Sequence, residues 1–162
     1  VNRALDQLEK KGFLNRETHR VSKRGRPACF GVLNDSGLNY LGVNRPGKGS
    51  FNHQLWQDLI ARKIAAKGLE ATVEGRIKGS SKASDILVYS AESGYICIEL
   101  SLHLQNLISN CRLNFKAGAA KVVIVTKNKA DAEKAKNMVA NDHSLDKYAA
   151  NIVIHTIDRY FN

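Results

Sequence analysis

The sequence predicts an α/β protein in two parts: a small part of helices and two short strands, then a mixed-sheet domain with the element order αβββαβαβ. Three observations lead there. Apolar residues switch repeatedly between helical spacing and short strand-like runs. Two continuous apolar runs, "KVVIVT" and "NIVIHTI", flank an amphipathic stretch, as parallel strands covered on both faces do. Charge is uneven: residues 1–50 hold ten Lys/Arg against four Asp/Glu, a net of +6, and the rest of the chain carries +4 of the formal total of +10.

The 162 residues are 43% hydrophobic with two prolines, enough for a small domain and a medium one and too apolar for wholesale disorder. No apolar run approaches the roughly 20 residues of a membrane span, and no secretory leader is visible, so no membrane partner is expected. The text opens at Val1, inside a helical pattern and without an initiator Met, as a piece of a longer protein would. Cys29, Cys97 and Cys111 form no CxxC pair, which argues against a zinc motif or disulfide framework. Cys97 and Cys111 sit among apolar residues and read as small core residues. A reducing cytoplasm fits.

In chain order, Val1, Ala4, Leu5 and Leu8 form one apolar helical stripe, and Gly12 ends that helix. "FLNRE" and "ACFGVL" are strands joined by the basic connection "THRVSKRGRP", and "NDSGLNYLG" starts a short helix. "VNRPGKGS" is a linker, giving a first domain over 1–45, a linker over 46–52 and a second domain over 53–162. There, Leu55, Trp56, Leu59, Ile60 and Ile64 mark a helix ended near Gly68. "LEATVEGRI", "SDILVYS" and "GYICIELS" are strands, the last two joined by a tight turn. Leu104, Leu107, Ile108, Cys111 and Phe115 trace a long helix; strand "KVVIVT", helix "KADAEKAKNMVAND" and strand "NIVIHTI" complete the order.

The excess of positive charge in the first part suggests a polyanionic partner, with solubility as the plainer explanation. "RGRP" can be a wing tip, a free minor-groove hook or a solvated turn. The text "ALDQLEKKGFLNR" then "GRPACFGVLNDSGLNYL", about 42 residues, resembles the back half of a winged helix-turn-helix domain. The resemblance implies that helix 1–11 is a recognition helix, with Asn2, Arg3, Gln7 and Lys10 toward double-stranded DNA and Arg24 and Arg26 at the wing tip.

In the second part, Asp85 and Glu99 each sit beside apolar strand residues, "DILV" and "ICIEL". Such a pair can hold Mg²⁺ or Mn²⁺ weakly and serve phosphodiester chemistry, or merely cap strand ends and pair with cations. The helix "HQLWQDLIARKIAAKG", the strand with Glu74, "SDILV" and "YICIELS" resemble the restriction-endonuclease-like PD-(D/E)XK superfamily over about 53 to 126; archaeal Holliday-junction resolvases have a similar layout. The resemblance implies that Asp85 and Glu99 are the metal-binding and catalytic acids. It also exposes a departure, because Ser101 stands where the motif has lysine. The first helix offers His53, Gln54, Gln57 and Asp58 where a glutamate often stands, and Lys116 or Lys78 are substitutes for the missing lysine. His103, Asn106, Asn110 and Asn114, at spacings of three and four, predict an amide row on one helical face, for DNA or for solvent. His143 and His155 read as structural or surface residues.

Together these features lead to a DNA-binding protein or module with an inactive nuclease-like domain, acting in mobile-element, repair, recombination or transcription control. The alternatives are an active Mg²⁺-dependent DNA endonuclease using Asp85 and Glu99, and a protein-interaction adaptor. The oligomeric state is not legible from these residues.

Overall fold

The computed structural model describes residues 2–19, 26–42 and 49–161. The chain divides into two compact units, Val1–Phe51 with Phe161–Asn162, and Asn52–Tyr160.

In the first unit, helix α1 (Asn2–Lys10) stops because Gly12 takes a left-handed conformation, φ 72°. The Gly12 and Phe13 N–H groups turn back to the carbonyls of Glu9 and Leu8 at 2.9 and 3.0 Å, which satisfies the helix end. Strands β1 (Leu14–His19) and β2 (Ala28–Leu33) then pair antiparallel, from Leu14↔Leu33 to His19↔Ala28. Helix α2 (Asp35–Leu41) is capped by Asn34, whose side chain accepts from the Gly37 N–H and donates to the Gly12 carbonyl. One asparagine therefore starts α2 and ties it to the end of α1. Gly37 is required by space, since a Cβ there would lie 2.1 Å from the Phe13 carbonyl oxygen.

The stripe expected to bury α1 is only partly covered. Leu5 is half-buried, and Ala4 and Leu8 are exposed. Val1 lies outside the described residues. The cause is geometric: a two-stranded ribbon covers little more than one line along a helix. Of the linker expected over 46–52, residues 46–48 lie outside the described residues, and helix α3 (Phe51–Ala65) already begins within it.

The second unit runs α3, β3 (Glu70–Val73), β4 (Ile86–Ser90), β5 (Gly94–Ser101), α4 (Leu107–Lys116), β6 (Lys121–Thr126), α5 (Lys129–Ala140) and β7 (Ile152–Thr156). The five strands lie in the order β3-β4-β5-β6-β7. The first three pair antiparallel, and β5, β6 and β7 pair parallel through the crossovers α4 and α5. The protein is thus mixed α/β, with one five-stranded mixed sheet and one two-stranded sheet. β3 is shorter than "LEATVEGRI" suggests, because Glu74 adopts a left-handed φ of 50° and turns the chain out of the strand.

One face of this sheet carries Cys97, Val122 and Ile124 against Leu107, Cys111 and Phe115 of α4, so Cys97 and Cys111 are core residues. Burial pushes the Cys111 thiol up to about 12, which leaves it inert at neutral pH. Among the described residues no helix is long and apolar enough to cross a membrane.

Gly37→Ala is expected to destabilise the first unit by about 1–3 kcal/mol, the usual cost of overpacking. In urea, far-UV circular dichroism should then lose amplitude before the fluorescence of Trp56, in the second unit, changes. An unchanged denaturation curve would contradict the close approach at Phe13.

Candidate functional site

The β4–β5 register pairs Ile86 with Ile98, so the next step of the ladder sets Asp85 opposite Glu99. Directly opposed residues of an antiparallel pair project to the same face. The Leu100 N–H donates to Asp85 Oδ2 at 2.7 Å and fixes that carboxylate at the strand end.

Three other elements reach these acids. On α3 the residues His53, Gln57, Ile60 and Ile64 follow helical spacing, polar at the start and apolar at the end. His53 Nε2 lies 3.2 Å from Asp85 Oδ1, and Gln57 Nε2 lies 3.4 Å from both Asp85 Oδ1 and the Asp85 carbonyl. On α4, Asn114 Nδ2 donates to Glu99 Oε1 at 2.8 Å, while Asn114 Oδ1 accepts from Ser84 Oγ at 3.0 Å. The segment joining β3 to β4 brings Lys82, with Nζ 3.3 Å from Glu99 Oε1 and 3.5 Å from Oε2. That segment is closed at its root by bonds from the Glu74 N–H to the Asp85 carbonyl and from the Ser84 N–H to the Gly75 carbonyl.

Glu99 is 2% exposed and Asn114 1%, so this is a buried polar network. Burial raises the Glu99 pKa first, and the neighbouring Asp85 charge raises it further; Asn114 and Lys82 oppose both. The His53 pKa is raised chiefly by its hydrogen bond to Asp85, against the opposing effect of burial.

Two facing carboxylates, one of them raised by the charge of the other, fit a small divalent cation that takes one or two carboxylates and completes its shell with water and phosphate. Asp85 and Glu99 would hold it. Among the described residues no group of three or more His, Cys, Asp or Glu is placed to hold a metal ion.

Ser101, at the position of the expected lysine, is buried at the end of β5 beside Thr126 and brings no charge. Lys116 and Lys78 are exposed, and the cation at Glu99 is Lys82 instead. Lys82 stands three residues before Asp85 in "KASD", four residues beyond Lys78 and far from Lys116 on the helix that follows Glu99. The amide row also needs correction. Asn114 faces inward to Glu99, Asn106 caps α4 after a 3-10 turn over Leu104–Asn106, and Asn110 is half-exposed. The 3-10 turn breaks the helical register that would have aligned His103 and Asn106 with the rest.

In the first unit Arg3, Gln7 and Lys10 are exposed on one face of α1, while Asp6 and Glu9 pair with Arg16 of β1. Arg26 is exposed; Arg24 lies outside the described residues.

Comparison with protein-family models, with curated proteins and with solved structures gives no significant match.

Because the folded state raises the Glu99 pKa, it binds that proton more tightly than the unfolded chain. Stability contributed by Glu99 therefore falls as pH rises from the ordinary value of 4.5 to the folded value, and the penalty is complete above it. Glu99→Gln keeps an oxygen for Asn114 and removes the buried charge. It should raise the melting temperature at pH 7, with the gain shrinking as pH falls through the folded value of Glu99 toward 4.5. A variant less stable than the parent at pH 7 would mean that the Lys82 pair outweighs desolvation.

Proposed function

We propose that the chain is a metal-dependent DNA endonuclease of the PD-(D/E)XK type, delivered to duplex DNA by a winged-helix-like first unit. The observation that carries this reading is Lys82 Nζ at 3.3 Å from Glu99, on the acid that faces Asp85. It supplies the positive charge that Ser101 lacks.

Each residue then has a task. Asp85 and Glu99 present carboxylate oxygens toward one position at the end of the β4–β5 pair. A Mg²⁺ or Mn²⁺ ion bound there would supply charge to the scissile phosphate and lower the pKa of a water. Lys82 holds an ammonium where negative charge gathers in the transition state. Asn114 orients Glu99, and the Leu100 N–H, Gln57 and His53 orient Asp85, so little reorganisation is needed when substrate arrives. Arg3, Gln7, Lys10, Arg24 and Arg26 meet phosphates and base edges.

A second reading keeps DNA binding and drops catalysis: a module acting in mobile-element, repair, recombination or transcription control. It is favoured by Ser101 and by His53, which already occupies Asp85 Oδ1.

Incubation with supercoiled, linear and branched DNA in Mg²⁺ and in Mn²⁺ separates the two. The endonuclease reading expects cleavage that disappears in Asp85→Ala and falls about 10²–10³-fold in Lys82→Met, the usual cost of losing one electrostatic group. Absence of cleavage on every substrate favours the binding module, and cleavage that survives Asp85→Ala comes from elsewhere.

Binding is tested separately. Arg24→Ala with Arg26→Ala should weaken duplex binding and lower the slope of log affinity against log salt by about one unit per lost phosphate contact. Unchanged affinity and slope would remove the wing from the interface.

A further inference from the structure

The face of the sheet that carries Asp85 and Glu99 continues away from them in two further rows. Thr72, Leu87 and Cys97 are opposite one another in the first row, and Glu70, Tyr89 and Tyr95 in the second. Alternation along each strand puts all of these on the same face as the acids. Leu87 and Tyr95 pack at the border of the core cluster that α4 covers, and there this face opens into a concavity of about 230 Å³, lined by Glu70, Thr72, Leu87, Tyr89 and Tyr95.

We propose that Tyr89 and Tyr95 form a stacking platform for an unpaired base of the DNA strand that the acids engage; this rests on the endonuclease reading. Tyr89 belongs to β4, which has a strand on either side, yet it is 49% exposed. Its ring lies 5.3 Å from that of Tyr95 with the planes at 57°, so the pair forms a wedge and not a closed stack. A single exposed aromatic is ordinary. Two that share a concavity on a polar site's own face offer π-surface at the spot where a strand leaving that site would pass.

Tyr95 stands four positions before Glu99 on β5, about 13 Å at the rise of a strand, a span of a few nucleotides. The exposed carboxylate of Glu70, opposite Tyr89, is an acceptor suited to the exocyclic amine of cytosine or adenine. Residues 51–162 still carry a net +4, which disfavours a purely apolar occupant over one with charged linkages.

The full chain is titrated in chelator with labelled twelve-nucleotide oligo-dC, oligo-dA and oligo-dT, with an abasic strand, and with duplex. Tyr89→Ala should weaken binding of oligo-dC and oligo-dA about 5- to 150-fold, the range for losing one base–aromatic stack, and leave duplex binding unchanged. Tyr89→Phe should retain affinity, and Glu70→Gln should weaken oligo-dC and oligo-dA more than oligo-dT. Equal binding by Tyr89→Ala and parent, equal losses on duplex and single strands, or abasic strand bound as tightly as oligo-dC would each overturn the platform. Cleavage of duplex with no binding of oligo-dC sinks the platform and leaves the endonuclease standing. A Tyr89-dependent preference for oligo-dC without any cleavage does the reverse.

Discussion

A carboxylate withdrawn from water must be met by donors, and at Glu99 that demand is made on several elements at once. Asn114 must point inward from α4, although its neighbours Cys111 and Phe115 are there for the apolar core. Ser84 must hold the other end of that amide, and Lys82 must fold back over the acid. The segment between β3 and β4 is therefore closed at its root by backbone bonds and held at its C-terminal end, through Lys82 and Ser84, by one buried charge. Asp85 is bound by the same logic to the Leu100 N–H and to two residues of α3. Such networks are costly when half satisfied, and this one brings its donors from α3, α4, the β3–β4 segment and the backbone of β5.

That cost sits where the sheet changes character. β3, β4 and β5 pair antiparallel, and β5, β6 and β7 parallel, so β5 is the strand common to both arrangements. Its C-terminal half is buried throughout, from Cys97 to Ser101, and Glu99 brings the carboxylate into that stretch. Apolar burial at Ile98, Leu100, Val123 and Val125 provides the favourable term against which the charge is carried. The first unit shows the opposite balance: a helix, a ribbon and a short helix joined by Asn34 and Gly37, with much of its apolar surface still exposed.

The element order, the mixed sheet and the facing of Asp85 with Glu99 were legible because each follows from local periodicity. "KVVIVT" announces a covered strand, and two strands joined by a short turn bring their far ends together. What was not legible depends on contacts remote in sequence. Asn114 looks like one of three surface asparagines until Glu99, fifteen residues earlier, is placed against it. Gln57 looks like a polar residue among leucines, yet it is 2% exposed while Leu55 and Leu59 are only half-buried. Lys82 lies in a stretch with no periodicity, where pattern gives no direction to a side chain. The limits of β3 were missed because Glu74 takes a backbone conformation that composition favours at Asn or Gly.

Placing the positive charge on Lys82 rather than at position 101 separates two things that a strand lysine would join. A side chain on β5 moves only as the sheet moves. Lys82 rides on a four-carbon stem from a connecting segment, with its side chain 22% exposed. The acid pair is set by the sheet and its counter-charge comes from a tether outside it, so a change at Lys82 alters the charge at Glu99 without touching a ladder bond.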